Sequence, residues 1–348
     1  MPKIIFSVFP NEYIQYRKFK LCDITPIMLT ESENFYKFWR LCCLLVAYSV
    51  MCQGLSAQIK SRYKPMGVDL FNHEFMSAPE TLSSNIEDWD DSETEIDDPE
   101  TVPRLYQGDI AIDPYTYISL RLGVNPMKHP KRVWPNATIP FEISHLYTNN
   151  ERMAIQRALN TFNSLTCINF IPFDGEEEDY VLITPPVDDA PPGCWSFVGK
   201  RGGEQVVSLQ QPDENSAHCF SSEGRIMHEL MHAIGIYHEQ SRADRDNFVK
   251  IHWENIVPKY RKNFKLISKK KGKQTFDYDY NSVMHYGEFY FSKKKGEKPT
   301  MTPLQPGVRI GQRKTISKTD CLKINDLYGC LNGRHARMYK SFCNLLGL

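Results

Sequence analysis

The hydrophobic pattern divides the chain into three kinds of sequence. Residues 41–52 (LCCLLVAYSVMC) are an almost unbroken apolar run. Residues 58–124 show little periodicity, and their middle, 87–100 (EDWDDSETEIDDPE), is nearly all acidic or polar. Such a stretch offers little apolar surface to offset the entropy of ordering. From about Val133 onward the pattern is that of a folded domain. IPFEIS (139–144) and INFIPF (168–173) read as short strands. Between them Thr148, with Glu151 three residues later, forms a capping box. Ile155, Ala158, Leu159 and Phe162 then recur at helical spacing, which predicts an amphipathic helix of about four turns. Strand, helix and strand in roughly 35 residues predict a right-handed crossover within one sheet. YVLITP (180–185), CWSFVG (194–199) and EQVVSLQ (204–210) add strands, and 254–265 reads as a helix. Ser317 with Asp320 caps a last helix ending near Tyr328. The class is α+β, with a sheet in the first half and irregular chain in the second.

Composition sharpens the division. The 348 residues suffice for one large domain with processing segments, or for two small domains. Lys plus Arg and Asp plus Glu number 42 each, so no global field argues for a nucleic-acid partner. Ten cysteines without a CxxC pair exclude a zinc ribbon or thioredoxin-like site and point to disulfides formed in an oxidising compartment. That reading requires export. The apolar run at 41–52 is too short to span a bilayer but suits a signal peptide. Lys37 and Arg40 precede it, and the small residues Gly54, Ser56 and Ala57 follow. The residues before it are long for a leader, and initiation at Met28 would make it conventional. The expected organisation is an N-terminal extension and signal (1–57), a pro-segment (58–124), a folded domain (125–330) and a tail (331–348).

The chemistry lies in RIMHELMHAIGIYHEQSRADRD (225–246). His228 and His232, four residues apart, share one face of a helix and can reach one ion. Glu229 lies about 100° round the helix, better placed to hold a reacting water as general base than to be a third ligand. His238 is about 9 Å further along if the helix continues, so the chain must turn back. Gly235 is where that turn is cheapest. Three histidine ligands with a fourth position open describe a catalytic zinc site.

HExxHxxGxxH followed by Met284 in SVMHY (282–286) resembles the metzincin signature. Glu239 directly after the third histidine, and Tyr286 two residues after Met284, resemble the astacin family. So do RVWPNATIPFEIS, GCWSFVG, EQVVSLQ and TDCLKINDLYGC, over about 133–330. The resemblance implies a metzincin-type fold: a mixed twisted sheet with two helices, then a largely irregular subdomain ending in a helix. It implies one Zn2+ held by His228, His232 and His238, with Glu229 as base. Tyr286 would be a switchable ligand that stabilises the oxyanion, and Met284 a floor under the histidines. Trp195, Ser196 and Phe197 would form an edge strand for extended substrate, and Glu239 would receive the mature N-terminus. Tyr106-Gln107-Gly108-Asp109 resembles the family's latency switch, in which Asp109 occupies the metal. Maturation would cut within 121–132, where Arg121, Lys128, Lys131 and Arg132 offer basic sites, leaving an N-terminus near Asn125. The family pattern implies Cys167–Cys330 and Cys194–Cys219. Cys321 and Cys343 either pair with each other or leave Cys343 for another chain.

The expectation is therefore a secreted zinc endopeptidase made as a zymogen, acting on extracellular proteins or peptides as a monomer without a membrane anchor. The alternative is a silent secreted binding protein on a protease scaffold, but every catalytic residue is present. With only a short tail after Cys330, no CUB- or EGF-like module follows, which predicts a compact enzyme. Asn136-Ala-Thr is a glycosylation sequon. Lys200 and Arg201, just past the edge strand, would favour acidic side chains near the cleaved bond, or simply form an exposed turn around Gly202 and Gly203.

Overall fold

The structure is a computed structural model describing residues 98–187, 189–213, 217–268 and 275–347. Every described residue belongs to one compact unit, Pro65–Leu348. The expected signal and the first part of the pro-segment lie outside the described residues. Among the described residues no helix is long and apolar enough to cross a membrane.

The central sheet comprises β1 (Ile110–Ala111), β2 (Thr138–Ile143), β3 (Asn169–Pro172), β4 (Tyr180–Thr184), β5 (Cys194–Phe197) and β6 (Glu204–Leu209), in the order β1-β5-β6-β4-β2-β3. It is mixed: β5 runs antiparallel to β6, and all other neighbours are parallel. β2 and β3 are adjacent and joined through a helix, α2 (Asn149–Leu165), whose Thr148–Glu151 capping box is complete. Its apolar stripe of Ile155, Ala158, Leu159 and Phe162 is fully buried. The helix that follows the sheet, α3 (Glu223–Ile234), packs into the same core.

The second half is irregular, as expected, apart from a short antiparallel pair, β7 (Val249–Ile251) and β8 (Met301–Pro303), and α4 (Lys318–Leu327). The helix expected over 254–265 does not form. Two 3-10 stretches stand there, Trp253–Asn255 and Pro258–Phe264, because Pro258 has no N–H to continue a helix begun before it.

Three further elements lie outside those the sequence predicts. Residues ahead of the domain form β1 and a helix, α1 (Pro114–Arg121), capped by the Asp113 side chain. In the tail, α5 (Ala336–Asn344) is joined to α4 by Cys321–Cys343. Cys167–Cys330 and Cys194–Cys219 are the other disulfides among the described residues.

Candidate metal centre

The site is built on α3, which is buried from Ile226 to its end. His228 and His232 stand one turn apart, with ring centroids 4.8 Å apart. The helix stops at Gly235 with φ of +124°, and the Gly235 N–H closes on the His232 carbonyl at 2.8 Å. The conformation requires glycine, and a Cβ there would lie 2.4 Å from Met127 Cε and displace that side chain. The reversed chain brings the His238 ring to 4.8 Å from His232 and 5.3 Å from His228.

Each imidazole is oriented from behind. Nδ1 of His228 donates to the Val283 carbonyl, that of His232 to the Ile236 carbonyl, and that of His238 to Gln107 Oε1, each at 2.8 Å. Nδ1 being protonated, Nε2 of each ring carries a lone pair, and all three point inward. Asp109 enters the same space, its Oδ2 lying 3.2 Å from His228 Nε2 and 3.0 Å from His238 Nε2. Its Oδ1 is 3.7 Å from His232 Nε2. All four side chains are buried, and burial pushes His232 down and His238 down to about 3, keeping those two rings neutral.

Three ring nitrogens and a carboxylate therefore converge on one buried space. The His232 Nε2 and Asp109 Oδ1 atoms are buried without any hydrogen-bond partner. A cation resolves this arrangement. The 3.3 Å between His228 Nε2 and His238 Nε2 matches the roughly 3.3 Å edge of a tetrahedron with zinc–nitrogen bonds of about 2.05 Å. Histidine nitrogens and a carboxylate suit zinc.

Glu229 is fully buried beside the cluster, and neither of its carboxylate oxygens has a hydrogen-bond partner. Burial, and then the Asp109 and Glu100 charges, push its carboxyl well above the usual range. Met284 is fully buried in the loop 282–286. That loop is held by Asp320, which accepts from Ser282 Oγ at 2.5 Å and from the Val283 N–H at 2.8 Å. The cap of α4 thus positions the carbonyl that orients His228. Tyr286 packs on His238, and its hydroxyl donates to the Gln107 carbonyl. The Glu239 carboxylate accepts from Arg242 at 2.9 Å, from the Asp279 N–H at 2.9 Å and from Lys323. In this uncut chain side chains hold it, not an N-terminus.

The strand containing Trp195, Ser196 and Phe197 is β5, and all three residues are buried. β1 covers its outer edge, with the Ser196 N–H donating to the Asp109 carbonyl at 2.9 Å. Asn136 is exposed just before β2. Of the basic residues considered for maturation, Arg121, Lys128 and Lys131 are exposed. Arg132 is buried against Asp113 and is unsuited to cleavage in this state.

An anchor on the segment ahead of the domain escaped the sequence reading. Glu100 is fully buried, bonded to Arg313 Nε at 2.7 and 2.9 Å, to Arg225 at 2.9 Å and to the Tyr290 hydroxyl at 2.9 Å. Asp98 adds two bonds to Arg225. The arginines hold the Glu100 carboxyl far below the ordinary range despite its burial. The acidic run ending at Glu100 was the only signal, and it names no partner.

A mixed sheet, a buried helix bearing two histidines and a glycine turn returning the third define a metzincin-type fold. The sequence model of the Astacin peptidase family matches residues 126–329, and the chain belongs to that family. It is 39% identical over 246 residues to zinc metalloproteinase nas-4 of Caenorhabditis elegans, covering 67% of this chain and 71% of that protein. It is also 39% identical over 209 residues to zinc metalloproteinase nas-14 of the same organism, covering 60% of this chain but only 39% of that protein. Several of the curated relatives it matches are thus spanned over less than half their length. Among solved structures, high choriolytic enzyme 1, a hatching enzyme zinc-protease from Oryzias latipes, is 37% identical with a TM-score of 0.49, covering 57% of this chain and 93% of that one.

Proposed function

We propose that this chain is a zinc endopeptidase of extracellular proteins or peptides, exported and held latent by the segment that carries Asp109. The observation that supports this best is the meeting of three imidazole lone pairs with the Asp109 carboxylate, beside a buried glutamate. His228, His232 and His238 would hold the zinc, and Asp109 would take the remaining position until it is removed. When bound, the ion supplies Lewis acidity towards a water and the scissile carbonyl.

The remaining chemistry belongs to the chain. Glu229 accepts a proton from the attacking water and passes it to the leaving amine. Tyr286, released from the Gln107 carbonyl when the segment leaves, donates its hydroxyl to the developing oxyanion. Removal of β1 opens the edge of β5, where an extended peptide binds through main-chain hydrogen bonds. Within 121–132 the residues 121–125 and 128–131 are exposed or half-buried, and the maturing cut falls in the first of these stretches, next to Asn125. Export accords with the three disulfides, and Asn136 is an exposed glycosylation acceptor.

The test compares full-length protein with protein cut in 121–125, both loaded with zinc, on internally quenched peptides. Hydrolysis should appear only after the cut, vanish with a chelator and return with zinc. Hydrolysis by the uncut chain at the same rate would refute latency. Inertness of the cut, zinc-loaded protein towards a broad peptide library would refute the peptidase reading.

A further inference from the structure

The residues after β5 divide in a way their sequence does not show. Lys200 is neutralised by Asp179, which stays within the same domain. Arg201 instead lies over the Phe197 ring, its guanidinium carbon 4.8 Å from the centroid. The Lys200 N–H donates to the Arg132 carbonyl at 2.7 Å, so Arg132 is bonded alongside this turn. The Arg132 guanidinium grips both oxygens of Asp113, at 2.6 and 2.5 Å, with both side chains less than a tenth exposed. The Arg201 guanidinium therefore stands on the ring of the residue that faces Ala111 in β1, two positions before Asp113.

Asp113 lies before the cut proposed above, whereas Arg132 and Arg201 lie after it. Removing the segment therefore takes away the carboxylate and leaves a guanidinium in a site shaped for two-point recognition. The register of β1 shows what lies over this site. Ile110 stands opposite Ser196 and Ala111 opposite Phe197, so β1 leads from Asp109 at the histidines towards Asp113 on Arg132. A peptide laid on β5 in place of β1 would follow the same track.

We infer that Arg132 and Arg201 form a carboxylate-binding subsite, filled here by Asp113, that in the processed protein takes an Asp or Glu side chain of the substrate about four residues from the scissile bond. This rests on the peptidase reading above. The positive charge that the sequence placed on Lys200 and Arg201 is thereby reassigned to Arg132 and Arg201.

Two measurements test it. In the first, cut, zinc-loaded protein is given peptide pairs differing only by Glu or Gln at positions three to five on either side of the cleaved bond. Glu should be preferred about tenfold in kcat/KM at one of these positions, chiefly through KM, the scale of a charge-assisted bidentate pair. The preference should collapse in Arg132→Gln/Arg201→Gln and weaken in Arg132→Lys. The Glu/Gln ratio is read within each protein, so partial misfolding lowers both rates without creating or hiding a preference. Equal cleavage of every pair by the wild-type protein, or a preference that survives the double substitution, overturns the inference.

The second measurement needs no hydrolysis. A synthetic peptide spanning residues 105–116 should bind the cut protein about tenfold more weakly when Asp113 is replaced by Asn, which preserves the helix cap. Equal affinity overturns the subsite. Discrimination in binding without cleavage of any peptide would instead retain the subsite and refute the peptidase reading.

Discussion

Glu229 is an acid at full burial with no hydrogen-bond partner for either oxygen. Such a group is costly to maintain unless the site uses it. Replacing it by Gln keeps its shape while removing its ability to accept a proton, so kcat of the cut protein should fall by at least about a hundredfold. Zinc content measured on the same sample should be unchanged; a variant as active as wild type would exclude Glu229 as the base. Asp113 makes a pH prediction. Burial raises its pKa, but the bonds from Arg132 and the Thr116 N–H outweigh this and bring the folded value below the usual one. A depressed carboxyl contributes stability that is full above its unfolded pKa of about 3.9 and is lost as pH falls through the folded value. Asp113→Asn should therefore lower the thermal midpoint of the full-length chain at pH 7, with the gap from wild type narrowing below about pH 4. A gap independent of pH would show that the carboxylate charge is not what matters. At this scale the sequence was most legible for His228, His232, Glu229 and His238, whose relation is set by helical geometry and one glycine. It was least legible for Glu100 and Arg313, which meet across 213 positions.

Among the elements, α3 and its exit carry the site. Gly235→Ala would force a side chain into a φ of +124° and against Met127. A strained conformation of this kind costs about 1–3 kcal/mol, and that much should be lost in urea unfolding. His238 would be displaced with it, so zinc affinity should fall as well. Unchanged stability and affinity would show that the turn tolerates a Cβ. The strands from β2 to β6 and the helices α2 and α4 were visible in advance because each carries its own signal: alternation or short apolar runs in the strands, a 3.6-residue stripe in α2, a capping box in α2 and α4. β1 has two residues and no period to read. α1 leaves Tyr115, Tyr117 and Ile118 exposed, so it has no core-facing stripe. The stretch 254–265 failed for the opposite reason, since its composition permits a helix that Pro258 prevents.

For the whole molecule, the disulfides tie distant parts of the chain together. Cys321–Cys343 closes a loop across 22 positions and fastens α5 to α4. The chain-entropy argument assigns a loop of this size about 3 kcal/mol. Cys321→Ser/Cys343→Ser should lower stability on that scale and speed hydrogen exchange in α5. Protection of α5 as in wild type would show that packing alone holds the tail.

The sequence by itself determined the family, the strands β2 to β6, the helices α2 to α4 and the four residues at the heart of the site. Each depends on neighbours a few positions away, where the geometry of helix, strand and turn relates sequence spacing to spatial position. The family resemblance also anticipated Asp109 among the histidines, but tertiary structure alone decided how the rest of the preceding segment lies: β1 on β5, Glu100 between Arg225 and Arg313, and Asp113 on Arg132. A charged side chain can pair with any opposite charge that the fold brings near it. Which one it meets is settled only when segments more than a hundred residues apart are packed together, as they are at Glu100.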